Sequence, residues 1–418
     1  MSATYYGIDF GTSNSTIARA DATGARLLPL EGAHETLPSA VFWEEDGGAP
    51  LFGRTAIAAY VEGFDGRLMR GLKSTLGSSL IQERTRVGKR NLAFTEIIGA
   101  FFGHLRERLN AQAEAPAESV VLGRPVHFVD DDAEGDRAAQ NVLEEIARAQ
   151  GFRNIDFQYE PIAAALHYEQ SLTAEELVLI VDIGGGTSDF SIVRVSPERA
   201  QQADRQADIL ANDGIRVGGT DFDRLLSLSQ VMPHLGLNSG MAQGNGLMPR
   251  HYFNDLATWH RINTLYTQRV ESDLKALRAL AARKELLDRM IRVIQTRAGH
   301  SLALATEKAK IALSAETEAR IRLAPLTGGP DADVRREVFE TAVEMPMARI
   351  GQTIRALLEA AGLRADQIGT VFLTGGSSSL PVLHAGVAEV LPGVPRVTGD
   401  LLGSVGTGLA LDARRKFR

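Results

Sequence analysis

Unbroken runs of apolar residues mark the most informative strands of this chain, and one of them ends directly in an aspartate. The run from Leu177 to Val181 precedes Asp182. A continuous apolar and β-branched run of this length is typical of a strand that is buried on both faces. Three glycines follow, and a second strand pattern, Phe190-Ser-Ile-Val193, comes after them. The pattern predicts a strand–turn–strand hairpin with a carboxylate at the first bend.

The beginning of the chain repeats this pattern. An apolar strand from Tyr5 ends in Asp9, and Gly11 with small hydroxyl residues then leads into a second strand that reaches Ala18. Asp9 and Asp182 are separated by about the length of one domain. Two such hairpins predict a duplicated fold that grips one phosphate chain from both sides.

The remaining periodic segments predict an α/β protein. Strands are expected at residues 26–31, 37–43, 119–126, 155–159, 206–212 and 368–374, and helices at 94–113, 133–150, 262–282, 284–299, 302–314 and 334–361. The strands at 26–31 and 37–43 are expected to join the sheet of the first hairpin, and the stretch 231–253, rich in Gly and Pro, is expected to be a loop.

The glycines of the second hairpin suit phosphate binding. Gly184, Gly185 and Gly186 allow close approach, so that successive backbone N–H groups can point at phosphate oxygens. Asp182 and Asp189 stand at the two ends of this cradle, where carboxylates beside phosphates favour a bound divalent cation, with Mg²⁺ the natural candidate. An ordinary tight turn is the alternative. Each hairpin runs from strand to strand, unlike the Walker and Rossmann phosphate loops, which lead into a helix.

Composition narrows the possible classes of function. With 418 residues and 44% hydrophobic content, the chain can bury a large core and is expected to form two or more domains. A net charge of −7 gives no reason to expect binding to nucleic acid or to an acidic membrane. The absence of cysteine excludes disulfides and thiol chemistry. No signal peptide or membrane-spanning run is apparent, so a cytoplasmic location is expected.

The paired hairpins resemble those of the actin-like ATPase superfamily, which includes actins, sugar kinases and the seventy-kilodalton heat-shock chaperones. Two further motifs resemble the DnaK-like chaperones in particular. Lys73 stands in a Lys-x-x-Leu-Gly stretch at the position of the ATPase lysine, and Glu160-Pro161-x-Ala-Ala-Ala resembles the crossing segment before the second hairpin. Outside this family, Lys73 would be a solvated side chain and Glu160 an ordinary residue at a helix start.

Later motifs continue the resemblance in the same order. They are Gly218-Gly219-x-Asp-Phe-Asp, an adenosine-binding helix with Glu307, Lys310 and Ser314, the turn Gly375-Gly376-Ser377, and a second crossing helix after Asp400. Two positions depart from the family pattern. Ile311 and Ser379 stand where the family has arginines that lie along the adenine, so the cation–π contribution to base binding is expected to be lost. Without the family, the Glu-x-x-Lys spacing would indicate only a surface ion pair.

The resemblance implies the fold and its division into lobes. The chain is identified as a member of the DnaK-like heat-shock chaperone family, of the YegD type that lacks the peptide-binding domain. This implies an actin-like ATPase fold with duplicated ribonuclease H-like lobes and a nucleotide cleft between them. Lobe I is expected at residues 1–170, joined by the helix at 400–418, and lobe II at 171–399, with a helical subdomain at about 225–315.

The resemblance also implies the ligands and the residues that bind them. ATP or ADP with Mg²⁺ is the expected cofactor set, and hydrolysis is expected to be slow. The expected catalytic residues are Lys73, Glu160, Asp182 and Asp189, and the expected metal-binding residues are Asp9 and Asp182. The expected nucleotide-binding residues are Gly11, Thr12, Ser13, Asn14, Gly184, Gly185, Gly186, Thr187, Gly218, Gly219, Glu307, Lys310, Ser314, Gly375, Gly376, Ser377 and Asp400.

Three functions fit these residues. The first is a chaperone-like ATP-driven switch that acts on a separate protein partner or client, through the helices at 262–299, since the chain has no strand pattern for a peptide-binding domain. The second is a sugar-kinase-type phosphotransferase, although Lys73 and the Glu160-Pro161 segment suit water better than an alcohol acceptor. The third is an actin-like ATPase that forms filaments.

Overall fold

The computed structural model of the protein describes residues 4–129, 132–169, 172–202, 204–399 and 403–418. The strands are β1 (Tyr5–Phe10), β2 (Asn14–Asp21), β3 (Gly24–Leu27), β4 (Thr36–Pro38), β5 (Ala40–Glu44), β6 (Leu51–Phe52), β7 (Gly66–Arg70), β8 (Arg84–Val87), β9 (Arg90–Ala93), β10 (Ser119–Arg124), β11 (Asn154–Tyr159), β12 (Glu176–Ile183), β13 (Ser188–Val195), β14 (Ile209–Ile215), β15 (Glu318–Ile321), β16 (Ala332–Arg335), β17 (Thr370–Thr374) and β18 (Arg396–Thr398). The helices are α1 (Gly53–Val61), α2 (Phe94–Asn110), α3 (Ala133–Ala149), α4 (Glu160–Glu169), α5 (Gly219–Leu226), α6 (Arg250–Leu256), α7 (Gln268–Leu280), α8 (Lys284–Gln295), α9 (Gly299–Ala315), α10 (Ala324–Thr327), α11 (Arg336–Ala342), α12 (Glu344–Ala360), α13 (Pro381–Val390) and α14 (Ser404–Lys416).

The chain divides into two compact units. The first contains the described residues of Met1–Arg216, Gln352–Ser378 and Val387–Arg418, and the second contains Val217–Gly351 and Ser379–Gly386. Both predicted hairpins belong to the first unit. The predicted boundary between lobe I and lobe II, at residues 170 and 171, stays a prediction. The division into two units places both sheets in the first unit, so it does not test that boundary.

The first sheet of this unit is mixed and has the strand order β11-β10-β1-β2-β3, with β4 paired to β2. β1 is antiparallel to β2 and parallel to β10. Ile8, Phe10 and Ile17 of the hairpin are almost fully buried, and α2 contributes Phe101 and Phe102 to the same core. Asp9 lies opposite Thr16 next to the turn of the hairpin.

The second sheet repeats this arrangement, with the strand order β14-β13-β12-β17-β18. β12 is antiparallel to β13 and parallel to β17, as β1 is to β2 and β10. In this register Asp182 lies between Asp189 on β13 and Thr374 on β17. The expectation of an α/β fold with a repeated hairpin is confirmed, since both mixed sheets place an aspartate at the same point.

Helix α14 of the first unit packs so closely against α4 and β1 that backbone atoms are in contact. A Cβ built on Gly408 of α14 would lie 1.9 Å from the Ala163 carbonyl oxygen of α4. A Cβ on Gly7 of β1 would lie 2.4 Å from the Ala410 nitrogen of α14. Because only hydrogen fits at these two contacts, glycine is required to bring α14 against both α4 and β1.

Some expected elements of the first unit differ from the structure. The predicted strand at 26–31 is β3, which ends at Leu27, and the segment 37–43 divides between two sheets. β4 pairs with β2, whereas β5 pairs with β6 and β7 in a separate three-stranded sheet. The strand predicted at 206–212 is β14, which begins only at Ile209, after a 3₁₀ turn at Gln206–Asp208. The apolar pattern located the other strands named above but carried no information about which strands pair. Among the described residues, no helix has both the length and the apolar composition needed to cross a membrane.

The second unit consists mainly of helices and the hairpin β15-β16. The helix predicted at 262–282 is shorter than expected, because residues Trp259–Leu265 form a 3₁₀ helix and α7 begins at Gln268. The prediction of one helix at 334–361 is also wrong at its start. The first residues of this range belong to β16 and α11, and α12 begins only at Glu344. The predicted loop at 231–253 contains a 3₁₀ turn and the first residues of α6.

Candidate functional site

The turns of the two hairpins of the first unit face each other. In the second turn, the Gly184 N–H donates to the Thr187 carbonyl at 2.9 Å, and the Thr187 hydroxyl donates to Asp189 Oδ2 at 3.0 Å. A Cβ built on Gly185 would lie only 2.0 Å from Ser13 Oγ of the first turn. The sequence could predict both hairpins, but not this approach of one to the other.

The first turn is held by a serine that the sequence did not single out. The Ser39 hydroxyl donates to the Gly11 carbonyl at 2.6 Å, and the Ser39 N–H donates to the Ser13 carbonyl at 2.9 Å. Gly11 itself is required, because a Cβ there would lie 2.1 Å from the Asn14 carbonyl oxygen. Ser39 is buried and lies between β4 and β5, so only the pairing of β4 with β2 reveals its role.

Lys73 lies in a short 3₁₀ helix, Leu72–Thr75, that follows the left-handed residue Gly71, and not in a regular helix. Its ammonium forms an ion pair with the carboxylate of Glu160, the first residue of α4. The side chains of Lys73 and Glu160 are 11% and 18% exposed, so both charges are largely removed from water. The structure therefore brings together two predicted catalytic residues that are 87 positions apart.

The carboxylates beside this pair repel one another. Burial, followed by the charge of Glu160, raises the pKa of Asp9 to about 7 although Lys73 acts in the opposite direction. Burial, followed by Asp189, Glu160 and Asp9, raises the pKa of Asp182 to about 8. Burial alone would lower the pKa of Lys73, but Glu160, Asp9 and Asp189 raise it above its usual value, so the ammonium stays charged. One cation thus faces four carboxyl groups.

This donor set has the chemistry of a Mg²⁺ site. Two carboxylates with phosphate oxygens and water are the ligands that Mg²⁺ uses in nucleotide sites, and a divalent charge would relieve the repulsion that raises the pKa of Asp9 and of Asp182. Within the described ranges, no three His, Asp or Glu side chains are grouped so that they could hold a metal by themselves.

A cavity of about 840 Å³ opens beside the cluster. Its walls include Glu160, Asp182 and Asp189, together with Thr187 of the second turn and Thr374 of β17. All of these residues belong to the first unit. Polar groups from several elements converge on a concave space, which is the usual form of a small-molecule site.

The third glycine turn, Gly375-Gly376-Ser377, also contacts this cluster. Gly375 has a φ of +85°, and a Cβ there would lie 2.3 Å from Asp182 Oδ1. The Ser377 N–H donates to the Ile183 carbonyl at 3.3 Å. The turn therefore packs against the second aspartate, and its expected contact with adenosine stays a prediction.

The predicted base and ribose residues lie on α9 in the second unit. Lys310 is buried there, with its Nζ 2.9 Å from Asp223 Oδ1 and donating to the Gly219 carbonyl at 3.3 Å. This lysine thus links α9 to the Gly218-Gly219 turn at the start of α5, which the sequence did not reveal. Glu307 and Ser314 are half-buried on the same helix, whereas Ile311 is 58% exposed. Asp400 lies outside the described residues.

Comparisons with known proteins agree with the geometry. The family model described as Hsp70 protein matches residues 5–231 and 284–413, leaving residues 232–283 unmatched. Chaperone protein HscA of Pectobacterium carotovorum is 26% identical over 430 residues, which cover 97% of this chain and 57% of that protein. A chaperone protein HscA homolog of Burkholderia pseudomallei is 27% identical over 428 residues with the same coverage. The chain spans 57% of the length of these curated relatives. The resemblance inferred from the motifs is confirmed, and the chain belongs to the Hsp70 family.

Proposed function

We propose that the chain is a Mg²⁺-dependent ATPase that acts as a chaperone-like switch, in which ATP binding and hydrolysis change its affinity for a separate protein partner or client. Members of the Hsp70 family bind ATP and hydrolyse it, which supports ATP as the ligand. The observation that carries the proposal is the Lys73–Glu160 ion pair among Asp9, Asp182 and Asp189, beside two facing glycine turns.

In this proposal, the ATP phosphates bind between the two turns. The backbone N–H groups of Gly11 and Gly184–Gly186, with the hydroxyls of Thr12, Ser13 and Thr187, hold the β- and γ-phosphates. Asp9 and Asp182 would hold Mg²⁺, which would supply positive charge beside the phosphates. Phosphoryl transfer depends mainly on positioning and charge stabilisation, so no covalent nucleophile is required.

Lys73 is the group that we propose orients the attacking water. Its ammonium stays charged because three carboxylates surround it, and the Glu160 carboxylate fixes its direction. Asp182 and Asp189 complete the surroundings of the water. An ammonium that carboxylates hold in place donates hydrogen bonds in fixed directions to a small molecule beside it. Water therefore suits this site better than a sugar hydroxyl.

The finer architecture also remains part of the proposal. The two repeated sheets correspond to duplicated actin-like lobes, each with one hairpin, and the helices between about 225 and 315 form a helical subdomain of the second lobe. Glu307, Lys310 and Ser314 would contact the base and ribose. The buried ion pair of Lys310 with Asp223 supports a role in holding the Gly218-Gly219 turn as well.

The proposed partner would bind on α7. Among the helices predicted for this role, α8 buries six apolar side chains, whereas α7 buries only Leu274. Ser272→Arg with Ala276→Arg would add bulk and two charges on the exposed face of α7, and Ala138→Arg with Asn141→Arg on α3 is the matched control. ATP-dependent recovery of a partner should be lost in the α7 variant and kept in the α3 variant; equal recovery from both would rule out α7.

The direct test of the reaction is phosphate release from ATP, measured with Mg²⁺ or with EDTA, and with or without candidate sugars and polyols. The proposal predicts release that needs Mg²⁺ and is independent of any acceptor. Release that occurs only with an acceptor, together with a phosphorylated product, would identify a sugar-kinase-type enzyme. Sedimentation with and without ATP would detect a filament-forming ATPase.

A further inference from the structure

Helix α4 connects the two sheets of the first unit. It begins with Glu160 immediately after β11 of the first sheet. Near its other end, the Tyr168 hydroxyl donates to Glu176 Oε1 at 2.7 Å and lies 2.9 Å from Thr370 Oγ1. Glu176 and Thr370 begin β12 and β17 of the second sheet. The residue that pairs with Lys73 is therefore carried by a helix whose far end is attached to the opposite sheet.

The last residue of α4, Glu169, is fixed by a buried two-point ion pair. Its Oε2 accepts a hydrogen bond from Arg205 Nη1 and its Oε1 accepts one from Arg205 Nη2, both at 2.9 Å. The Ser196 N–H also donates to Glu169 Oε1 at 2.9 Å. The side chains of Glu169 and Arg205 are each only 1% exposed.

Arg205 is held in turn by the segment that joins β13 to β14. Its Nε pairs with the buried carboxylate of Asp208, which also pairs with Arg199. Arg199 Nε lies 2.8 Å from Glu175 Oε2, close to the start of β12. The end of α4 is thus anchored in an alternating network of five charges, of which Glu169, Arg205 and Asp208 have side chains at most 2% exposed.

A network of this kind determines geometry more than it adds stability. Removing ions from water costs about as much free energy as their attraction returns, so a buried ion pair is a poor source of stability. A two-point contact from a planar guanidinium, however, fixes both the direction and the rotation of the carboxylate that it holds. An apolar contact at the same place would lack this directional constraint.

The geometry at one end of α4 is transmitted to the other end. Glu169 follows Glu160 by nine residues, which is about 13 Å and two and a half turns of helix, so the two side chains leave opposite sides of α4. We propose that Arg205 is a positioning residue, which fixes the rotation and axial position of α4 through Glu169 and so holds the Glu160 carboxylate against Lys73. The expected effect on the hydrolysis rate rests on the proposed ATPase function. The expected effect on the position of Glu160 does not.

The test compares two pairs of substitutions. Arg205→Met with Glu169→Gln removes the two charges of this ion pair together, and the buried Asp208 keeps its ion pair with Arg199. Arg148→Met with Glu144→Gln removes an exposed ion pair of α3 and is the matched control. Thermal unfolding and ATP calorimetry would first establish that each protein is folded and binds ATP. Single-turnover hydrolysis and the crystal structure of each folded variant would then be determined.

The crystal structure reads the position of Glu160 without any need for activity. In the unaltered protein, the Lys73 ammonium forms an ion pair with the Glu160 carboxylate. If α4 rotates or slides, this pair opens, so we expect the two groups to separate beyond ion-pair distance in the buried-pair variant. We also expect a loss of about tenfold in single-turnover rate, with ATP affinity within about twofold of that of the unaltered protein.

The outcomes separate the two proposals. A Lys73–Glu160 ion pair that is retained in the buried-pair variant, as in the α3 control, would overturn the positioning role of Arg205, whatever the rates. An ion pair that opens in the buried-pair variant, with the α3 control unchanged, would support it. If the unaltered protein releases no phosphate from ATP, the proposed function fails, and the crystal structures alone decide the inference about Arg205.

Discussion

The cluster of charged residues around Lys73 and the proposed base-binding helix α9 differ in how firmly neighbouring groups hold their side chains. Around Lys73 the charges are largely buried, face one another and have raised pKa values at Asp9 and Asp182. On α9, Lys310 is occupied by Asp223 and Gly219, and Ile311 is mostly exposed. The proposed reaction site is therefore built from fixed contacts, whereas the proposed base site has few fixed polar contacts that could recognise a base. Hydrolysis should be sensitive to small changes, and nucleotide choice should be tolerant.

The largest effect is expected from Lys73→Ala. Removing the ammonium takes away the donor that we propose positions water, but it leaves both glycine turns intact. Hydrolysis should fall by about a hundredfold or more, in the range found when a single preorganised donor is lost, while ATP binding by calorimetry persists. Lys89→Ala, at the exposed turn after β8, is the control. Hydrolysis at the parental rate in the Lys73 variant would remove this lysine from the mechanism.

A smaller effect is expected from a side chain that forces the two glycine turns of the hairpins apart. A Cβ on Gly185 would collide with Ser13, whereas a Cβ on Gly186 meets no atom within 4 Å. Gly185→Ala should therefore weaken ATP binding by about tenfold, or about 1.4 kcal/mol, and Gly186→Ala should have much less effect. Equal dissociation constants for the two variants would show that the approach of the turns is not needed for binding.

The base side should respond more weakly still. Ile311→Arg would restore a cation beside the base, and an exposed cation–π contact contributes about 0.5–1 kcal/mol, or about two- to fivefold in ATP affinity. Ala315→Arg adds the same charge at the end of α9 and is the control. In the unaltered protein, calorimetry should show that ATP is preferred over GTP by less than about a hundredfold, or about 2.7 kcal/mol. A larger preference would mean that other groups recognise the base.

The smallest effect concerns pH and stability without nucleotide or Mg²⁺. The pKa of Asp182 is about 8 in the folded protein, above that of an ordinary aspartate, so the folded state binds this proton more tightly than the unfolded state. The resulting stability is complete below about pH 4 and is lost as the pH rises through 8. Thermal midpoints should fall by roughly a few degrees between pH 6 and pH 9. Asp182→Asn should flatten this decline; an unchanged slope would assign it to other groups.

The local sequence was sufficient to predict the two glycine turns, but not the residues that contact them. Asp9, Asp182 and the glycines were predictable because strand, carboxylate and turn are adjacent in the chain. The contact of Lys73 with Glu160 required the resemblance to a family, since a lysine in a 3₁₀ helix and a glutamate at a helix start carry no local signal. Ser39 was missed for a similar reason, because its role depends on which strand β4 pairs with.

The same limit applies to the network around Glu169. Arg205 and Asp208 lie in a segment between strands where charged residues would be expected on the surface, and only the fold reveals that they are buried. Periodicity predicts which face of an element is apolar, but it does not predict which polar residues will be enclosed by distant elements. The residues that position the site were therefore harder to find than the residues of the site itself.

The close contact of α14 with β1 and α4 has a consequence for synthesis of the protein. Leu409, Ala410 and Ala413 of α14 are fully buried in the first unit, yet they follow Gly7 by some four hundred residues. At about 5–20 residues per second, a ribosome needs roughly 20–80 s to make that length of chain. During this time the surface of β1 against which α14 packs lacks this helix. The first unit of the protein therefore cannot complete its core until α14 has been synthesised.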